Sequence, residues 1–149
     1  MGGGIKRIGS WVTTSAPETV ALGEKIAALL ALGSVVAFRG SLAAGKTTLI
    51  KGIVHAVTGV KIEEVVSPTF VTLQIYEGQR DIKVYHFDLY RLSGPDEFLS
   101  YGFDEYLHTS GVTCLEWSER IAPLLPKTTL VLSLEHLGGD QRSITLQKL

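Results

Sequence analysis

The sequence predicts an α/β fold in three layers, built on a mainly parallel sheet that contains an antiparallel hairpin. Three observations favour this fold class. Helical and strand-like apolar patterns alternate along the chain, a glycine loop lies between a strand-like run and a helical run, and a turn-prone stretch joins two strand-like runs near the middle. Alternating elements of this kind usually place helices on both faces of a parallel sheet.

Length and composition indicate one domain. The 149 residues, of which 45% are hydrophobic, suit a single domain over residues 1–149 with its own core. Fourteen basic and fifteen acidic residues give a net charge of −1, so no global positive field attracts nucleic acid or an anionic membrane. Any link to nucleic acid is therefore expected to run through partner proteins.

The cysteine content and the N-terminal residues predict a reducing compartment. The single cysteine, Cys114, lies in an apolar run, so we expect a buried structural thiol and no internal disulfide. Residues Met1 to Arg7 have no apolar stretch behind their charges, and Lys6 breaks the myristoylation pattern. A cytoplasmic location is the resulting expectation.

The first predicted element is a helix. Ser15 and Glu18 form a capping box, Pro17 suits a first turn, and Gly33 is the expected end of the helix. Its apolar positions are Val20, Leu22, Ile26, Leu29 and Leu30.

The next two elements enclose the glycine loop. Residues 35–38 form a short apolar run of the strand type, and apolar residues recur at helical spacing after Lys46. Further on, residues 64–75 and 82–87 are strand-like and are joined by the turn-prone residues 77–80, which predicts the hairpin. The later candidates are short helices at 96–100 and 103–107 and strands at 112–115, 129–134 and 143–146.

The glycine loop carries the strongest chemical prediction. Residues 40–47 read GSLAAGKT and match the Walker A pattern at every fixed position. In such a loop, backbone N–H groups and the helix N-terminus bind phosphates, the lysine reaches the β and γ phosphates, and the hydroxyl residue binds magnesium. The sequence therefore predicts a P-loop NTPase-like fold with ATP or ADP and Mg²⁺ as cofactors. The predicted nucleotide-binding residues here are Gly40, Ser41, Leu42, Ala43, Ala44, Gly45, Lys46, Thr47 and Thr48.

Two acidic residues are candidates for the metal side of this site. Asp88 and Glu116 each follow a predicted strand, and the carboxyl ends of parallel strands meet at one edge of the sheet. An acid near the magnesium ion is the usual complement of a Walker A loop. Each carboxylate has a plainer alternative, as a helix cap or as a salt-bridge partner.

The segment Ser67-Pro68-Thr69-Phe70 leaves two alternatives open. A proline between hydroxyl residues resists regular strand pairing. In the first alternative Thr69 faces a γ phosphate, as switch segments do in other nucleotide hydrolases. In the second, the segment is a bulge in an edge strand.

The order of these motifs resembles the TsaE family, also known as YjeE. The Walker A loop is followed by SPTF at 67–70, HFDLYRL at 86–92 and Glu116-Trp117, with a similar connecting stretch from Pro95. The resemblance implies an ATPase that acts with TsaB and TsaD to make threonylcarbamoyladenosine beside the anticodon of tRNA. It also implies that tRNA is reached through that complex.

The resemblance further implies a role for each site residue. The implied catalytic residues are Lys46, Thr69, Asp88 and Glu116, the implied metal residues are Thr47, Asp88 and Glu116, and Trp117 and Arg142 complete the nucleotide site. The family commonly has an aspartate where this chain has Ser41 and a glycine where it has Ala43. These departures predict a different nucleotide affinity or a different loop conformation. A left-handed Ala43 would cost about 1 kcal/mol, which weakens the site without abolishing binding.

Neighbouring residues have simpler expected roles. His86 is expected to be packed or hydrogen-bonded rather than a metal ligand. Arg91 is expected to pair with Asp88 or a nearby carboxylate, and Trp117 and Tyr90 have core packing as their alternative.

Two other functions remain as alternatives to a slow ATPase that depends on partners. A small-molecule or nucleoside kinase shares the loop and the metal but commonly needs an arginine-rich lid, and the arginines of this chain do not cluster in such a run. A nucleotide-gated interaction module would use hydrolysis only to reset a complex. The slow activity is expected because no arginine finger is evident in the sequence.

Overall fold

The structure is a computed structural model that describes residues 6–41, 44–68 and 70–149. In chain order the elements are β1 (Lys6–Thr13), α1 (Ala16–Ala27), β2 (Val35–Arg39), α2 (Lys46–Thr58), β3 (Leu73–Tyr76), β4 (Val84–Asp88), α3 (Pro95–Ser100), β5 (Val112–Glu116), β6 (Leu130–Gly138) and β7 (Gln141–Lys148). Short 3₁₀ helices span Ile62–Glu64, Phe103–His108 and Ser118–Leu124. The alternation of helix and strand that the sequence predicts is therefore present.

The described strands form one sheet of seven, in the order β1-β7-β6-β2-β5-β4-β3. The central strands β6, β2, β5 and β4 are parallel. The flanking pairs β1–β7, β6–β7 and β3–β4 are antiparallel. The predicted hairpin is confirmed as β3–β4, but a second hairpin, β6–β7, was not predicted. The prediction of a mainly parallel sheet is thus correct for the central strands and wrong for the flanking strands.

Helices cover both faces of the sheet. On one face, α1 and α2 bury Ile26, Ile50 and Ile53 in the larger apolar cluster. On the other face, α3 and the two later 3₁₀ helices bury a smaller cluster around Phe87 and Phe98. Because side chains alternate along a strand, β4 and β5 contribute to both clusters. Each fully buried apolar side chain contributes roughly 1.5–3 kcal/mol, so both layers stabilise the sheet.

Two glycines let α1 and α2 approach each other closely. A Cβ atom on Gly23 would lie 2.3 Å from the backbone oxygen of Leu49, and one on Gly52 would lie 2.1 Å from that of Val20. Real Cβ atoms essentially never come so near another atom, so a side chain at either position would force the helices apart. This contact helps to fix the position of α2, and with it the position of the glycine loop.

The helix α1 begins as predicted and ends earlier. The Ser15 side chain accepts a hydrogen bond from the Glu18 N–H at 3.2 Å, which confirms the cap. The helix ends at Ala27 and not at Gly33. The N–H groups of Leu29 and Leu30 each bond three residues back, which tightens the chain as it turns toward β2.

Two strand predictions were wrong. The edge strand β1 was missed, because its residues gave no apolar run and it exists through pairing with β7. The long strand predicted for 64–75 is only β3, and its first part is a 3₁₀ turn followed by a loop. In that loop the Val66 N–H donates to the Tyr76 hydroxyl, and this hydroxyl donates to the Val66 carbonyl, both at 3.0 Å. These backbone groups therefore bond a side chain and not the backbone of a neighbouring strand.

Among the described residues, no helix is both long enough and apolar enough to span a membrane.

Candidate functional site

The glycine loop leaves β2 and enters α2, as the sequence predicts. Gly40 follows β2 with φ +146°, and a Cβ atom there would lie 2.5 Å from the Leu134 carbonyl oxygen. Gly45 immediately precedes α2 with φ +93°. L-residues with a side chain rarely adopt either backbone conformation, so both positions favour glycine. Leu42 and Ala43 lie outside the described residues, and so does the expectation about a left-handed Ala43.

The first turn of α2 carries no competing anion. Gly45 makes no side-chain capping bond, and the first turn contains no acidic residue. The first N–H groups of an α-helix have no intrahelical acceptor, and the helix dipole favours negative charge at this end. This end of α2 therefore has the electrostatic character of an anion site.

Lys46 is buried at this helix end and faces an aromatic ring. Only 6% of its surface is exposed. Its ammonium nitrogen lies 5.5 Å from the centroid of the Trp117 ring, which is within the range of a cation–π contact. A cavity of about 130 Å³ lies between the loop and this ring, and it is lined by Phe38, Arg39, Gly40, Lys46, Trp117 and Glu119.

The two candidate acids lie side by side at the ends of neighbouring strands. Asp88 and Glu116 are register partners in the parallel pair β4–β5, and Phe38 of β2 is the register partner of Glu116 on the other side. Register partners point to the same face of a sheet. Phe38 belongs to the apolar cluster under α2, so both acids project toward the face that carries α2. Their exposed fractions are 7% and 5%.

Each acid already has a hydrogen-bond partner. An oxygen of Asp88 accepts the Tyr90 N–H at 3.0 Å, which resembles the capping alternative that the sequence left open. An oxygen of Glu116 lies 2.8 Å from Nε2 of His86, a residue with no exposed surface. His86 is thus hydrogen-bonded, as expected. No group of three His, Cys, Asp or Glu side chains is arranged to hold a metal within the described part of the chain.

Backbone strain is concentrated beside these acids. In the described chain, Thr72 and Trp117 are the non-glycine residues with positive φ, at +68° and +61°. The Thr72 carbonyl accepts the Asp88 N–H at 2.9 Å, and Trp117 directly follows Glu116. Such conformations cost roughly 1–3 kcal/mol each and cluster at functional sites. No feature of the sequence indicated either one.

Trp117 belongs to an aromatic and cationic group that sequence analysis missed. Its ring lies 5.0 Å from that of Tyr90, and the Arg120 guanidinium lies 5.8 Å and 5.9 Å from the two ring centroids. Arg120 also donates to the Tyr90 carbonyl at 3.2 Å. Tyr90 is 52% exposed, so core packing is wrong for this residue. The spacing E-W-x-x-R was the available signal, because it places an arginine one turn after the tryptophan.

Arg142 reaches the other side of the loop. A Cβ atom on Gly45 would lie 3.5 Å from Nε of Arg142. A small cavity of about 60 Å³ separates the starts of α1 and α2 from the β6–β7 turn, and it is lined by Ser15, Ala16, Thr19, Gly45, Thr48, Asp140 and Arg142. Arg142 therefore lies beside Gly45, and its expected role toward the nucleotide stays a prediction.

The segment before β3 is neither a strand nor a bulge where it is described. Pro68 is buried, whereas Phe70 is 83% exposed, and the Arg91 guanidinium lies 4.7 Å from the Phe70 ring. Arg91 was expected to pair with a carboxylate, and this contact with an aromatic ring was not predicted. Thr69 lies outside the described residues, so its switch role stays a prediction.

Cys114, the register partner of His86 on β5, is a buried free thiol. Burial raises the pKa of the thiol to about 12, with a smaller contribution from the negative charge of Glu116. The prediction of a buried structural cysteine is confirmed, and its thiolate is strongly disfavoured.

Known proteins match most of this chain. The family model described as "Threonylcarbamoyl adenosine biosynthesis protein TsaE" matches residues 13–144. The chain belongs to the TsaE family. It is 41% identical over 135 residues to the tRNA threonylcarbamoyladenosine biosynthesis protein TsaE of Treponema pallidum (strain Nichols), covering 91% of this chain and 97% of that protein.

A second relative and a crystal structure also match most of the chain. The protein of the same name from Bacillus subtilis (strain 168) is 38% identical over 136 residues, covering 91% of this chain and 82% of that protein. The crystal structure of Bacillus subtilis YdiB matches with a TM-score of 0.76 and 30% identity, over 97% of this chain and 87% of that chain. The resemblance inferred from the motifs is confirmed at the level of the TsaE family.

Proposed function

We propose that this chain is a Mg²⁺-dependent ATPase that acts in the threonylcarbamoyladenosine modification of tRNA. The observation that carries the proposal is the uncapped start of α2 with buried Lys46, next to a sheet edge where Asp88 and Glu116 are adjacent. An anion site beside two carboxylates suits a nucleotide whose phosphates arrive with a divalent cation. The names of the relatives supply the tRNA modification.

The residues present fit ATP and Mg²⁺. Gly40 and Gly45 flank the loop with backbone conformations that glycine favours, the uncapped start of α2 offers N–H groups to a phosphate, and Lys46 adds a positive charge. The Thr47 hydroxyl and the carboxylates of Asp88 and Glu116 are oxygen donors of the kind that Mg²⁺ prefers. The bound metal ion would neutralise charge that develops on the phosphates during transfer to water.

We assign the other roles from the family pattern together with the positions of the described residues. Lys46 stabilises charge on the β and γ phosphates, and Thr69 or Glu116 orients the attacking water. Trp117 holds the Lys46 ammonium and borders the cavity beside the loop. Arg142, next to Gly45, adds a second positive charge at the opposite side of the loop. These roles, and a single P-loop domain over residues 1–149, form one proposal.

Partner dependence is part of the proposal. Arg120 and Arg91 lie against aromatic rings, so neither is placed by its contacts as a finger on the phosphates. The loop before β3 exposes Val66, Phe70 and Val71 by 54–83%, beside the proposed switch residue. An exposed apolar loop of this kind suits contact with another protein. We propose that TsaB- and TsaD-type partners stimulate a slow intrinsic activity and bring the tRNA.

The test is phosphate release from ATP and Mg²⁺ by the purified chain, alone and with TsaB, TsaD and tRNA. Release should rise when the partners are added. Lys46→Ala and Glu116→Ala should each reduce it roughly 100- to 1,000-fold, as expected for a group that stabilises transition-state charge or orients the reacting water. The matched controls Lys51→Ala, on the same helix, and Glu105→Ala, on the surface, should retain it.

The alternatives give different products in the same experiment. Transfer of phosphate to an added nucleoside would support a kinase. Nucleotide binding without turnover, even with partners present, would support an interaction module. Either result would overturn the proposed ATPase.

A further inference from the structure

His86 occupies a position where the fold alone favours an apolar side chain. On β4 it lies between Val84 and Asp88 on the face that carries α2, and its register partner on β5 is Cys114. Val84 and Cys114 belong to the apolar cluster on that face. His86 has no exposed surface, so it reaches neither solvent nor a ligand directly.

The one hydrogen bond that the structure gives the His86 ring goes to Glu116. The Nε2 atom lies 2.8 Å from a Glu116 carboxylate oxygen. An ionised carboxylate can only accept, so a hydrogen bond to its ionised form requires the proton on Nε2. Nδ1 is also buried and has no hydrogen-bond partner among the described residues. A buried polar nitrogen without a hydrogen bond costs free energy, so packing alone would favour an apolar side chain at this position.

This bond sets the direction of the Glu116 side chain. Glu116 is the last residue of β5, where the chain turns sharply into the left-handed Trp117. A carboxylate at a strand end has several rotamers, and a hydrogen bond from a buried, packed ring selects one of them. The adjacent Asp88 is oriented separately, through the Tyr90 N–H.

We propose that His86 is a positioning residue for Glu116: it donates from Nε2 and holds the carboxylate toward the reacting phosphate and its metal ion. The inference rests on the proposed function, since Glu116 has this importance only if it acts on bound nucleotide. His86 itself contacts neither substrate nor metal. Its effect is to keep the Glu116 carboxylate in the catalytic orientation before nucleotide arrives.

Two substitutions separate positioning from packing. His86→Leu fills the buried space and removes the donor, whereas His86→Gln places an amide N–H near the position of Nε2 and retains it. His55→Leu is the matched control, because His55 also makes one hydrogen bond, from Nδ1 to the Val60 carbonyl at 2.8 Å, near the far end of α2.

The kinetic test measures kcat and KM for ATP, the Mg²⁺ concentration for half-maximal rate, and Tm, with partners present. We expect His86→Leu to lower kcat about 10- to 100-fold, because it removes a hydrogen bond that supports a catalytic group. KM should stay within about twofold of the wild type, and Tm should not fall. His86→Gln should recover most of kcat, and His55→Leu should retain it. A wild-type kcat in His86→Leu, or no recovery in His86→Gln when both variants keep the wild-type Tm, would overturn the proposal. If either variant has a lowered Tm, the spectroscopic test decides.

A nucleotide-free measurement keeps this inference separate from the proposed function. Nitrogen chemical shifts of the His86 ring report which nitrogen carries the proton. We expect the Nε2–H form in the wild-type protein and a changed ring signal in Glu116→Ala. An Nδ1–H form, or a ring signal that ignores the loss of Glu116, would overturn the proposal even if the chain proves to be an ATPase. Absent phosphate release with the expected ring signals would instead count against the proposed function.

Discussion

The two long helices on the same face of the sheet begin in opposite ways. The start of α1 is closed by side chains: Ser15 accepts the Glu18 N–H, and the Glu18 carboxylate accepts from the backbone N–H and the hydroxyl of Thr14, both at 2.9 Å. The start of α2 has a left-handed glycine, no side-chain cap and no acid in its first turn. The two helices pack directly on each other, so the difference is local to their ends.

We interpret the capped start of α1 as a contribution to stability and the uncapped start of α2 as a binding site. A capped N-terminus satisfies the helix with groups of the chain itself, and it contributes about 1 kcal/mol. An uncapped N-terminus gives up that contribution and leaves N–H groups for an external anion. The chain therefore follows the stabilising rule at α1 and departs from it at α2, where we propose that phosphate binds.

The largest expected effect comes from adding a side chain at Gly45, the residue at the start of α2. Gly45→Ala and Gly59→Ala change the N-cap and C-cap of one helix, with φ +93° and +80°. Each should lower the free energy of unfolding by about 1 kcal/mol, because both force a side chain into the left-handed region. Only Gly45→Ala should also weaken ATP binding, roughly tenfold or more, because a displaced loop loses charge-assisted hydrogen bonds.

Calorimetric titration with ATP and Mg²⁺, together with urea unfolding, measures both effects. Equal ATP affinity in the two variants would contradict the assignment of this helix end.

An intermediate effect is expected at the start of α1. Ser15→Ala removes the cap and should lower the free energy of unfolding by about 1 kcal/mol. ATP affinity should stay within about twofold of wild type, since the Ser15 side chain bonds the backbone of α1. Denaturant unfolding and the same titration check the prediction. A large loss of ATP affinity would show that the two helix ends act as one site.

The smallest expected effect is a pH dependence at α1 that α2 lacks. Hydrogen bonds from the Thr14 backbone N–H and, to a smaller extent, from the Thr14 hydroxyl lower the pKa of Glu18 below its ordinary value of 4.5. A lowered folded-state pKa stabilises the fold above the unfolded value, and this contribution is lost as the pH falls below about 4.5. The loss of stability between pH 5 and 3 should therefore be shallower in Glu18→Gln than in the wild type. Urea unfolding at several pH values measures this, and identical slopes would contradict it.

Local chemistry made much of this arrangement predictable. The Ser15 cap, the strand before and the helix after the glycine loop, and the acids at two strand ends each follow from residue types within a few positions of one another. The structure has these features where expected. Thr69 of the switch segment and Leu42 and Ala43 of the loop lie outside the described residues, so the roles of Thr69 and Ala43 remain predictions.

Features that depend on distant pairing were not predictable. The edge strand β1 exists through β7, which lies more than 120 residues away in the chain. The His86–Glu116 bond joins two strands that only the sheet register brings together. Thr72 and Trp117 adopt a left-handed backbone conformation that residues with a side chain rarely adopt, and both lie beside the candidate site.

Equilibrium binding of ATP with Mg²⁺ to the wild type, Lys46→Ala and Ser15→Ala tests the central claim most directly, because it compares the two helix ends without partners or turnover. The account predicts that Ser15→Ala binds like the wild type and that Lys46→Ala binds at least roughly tenfold more weakly, as expected on losing a charge-assisted contact. Lys46→Ala binding as tightly as the wild type would contradict the claim that the open end of α2 is the phosphate site.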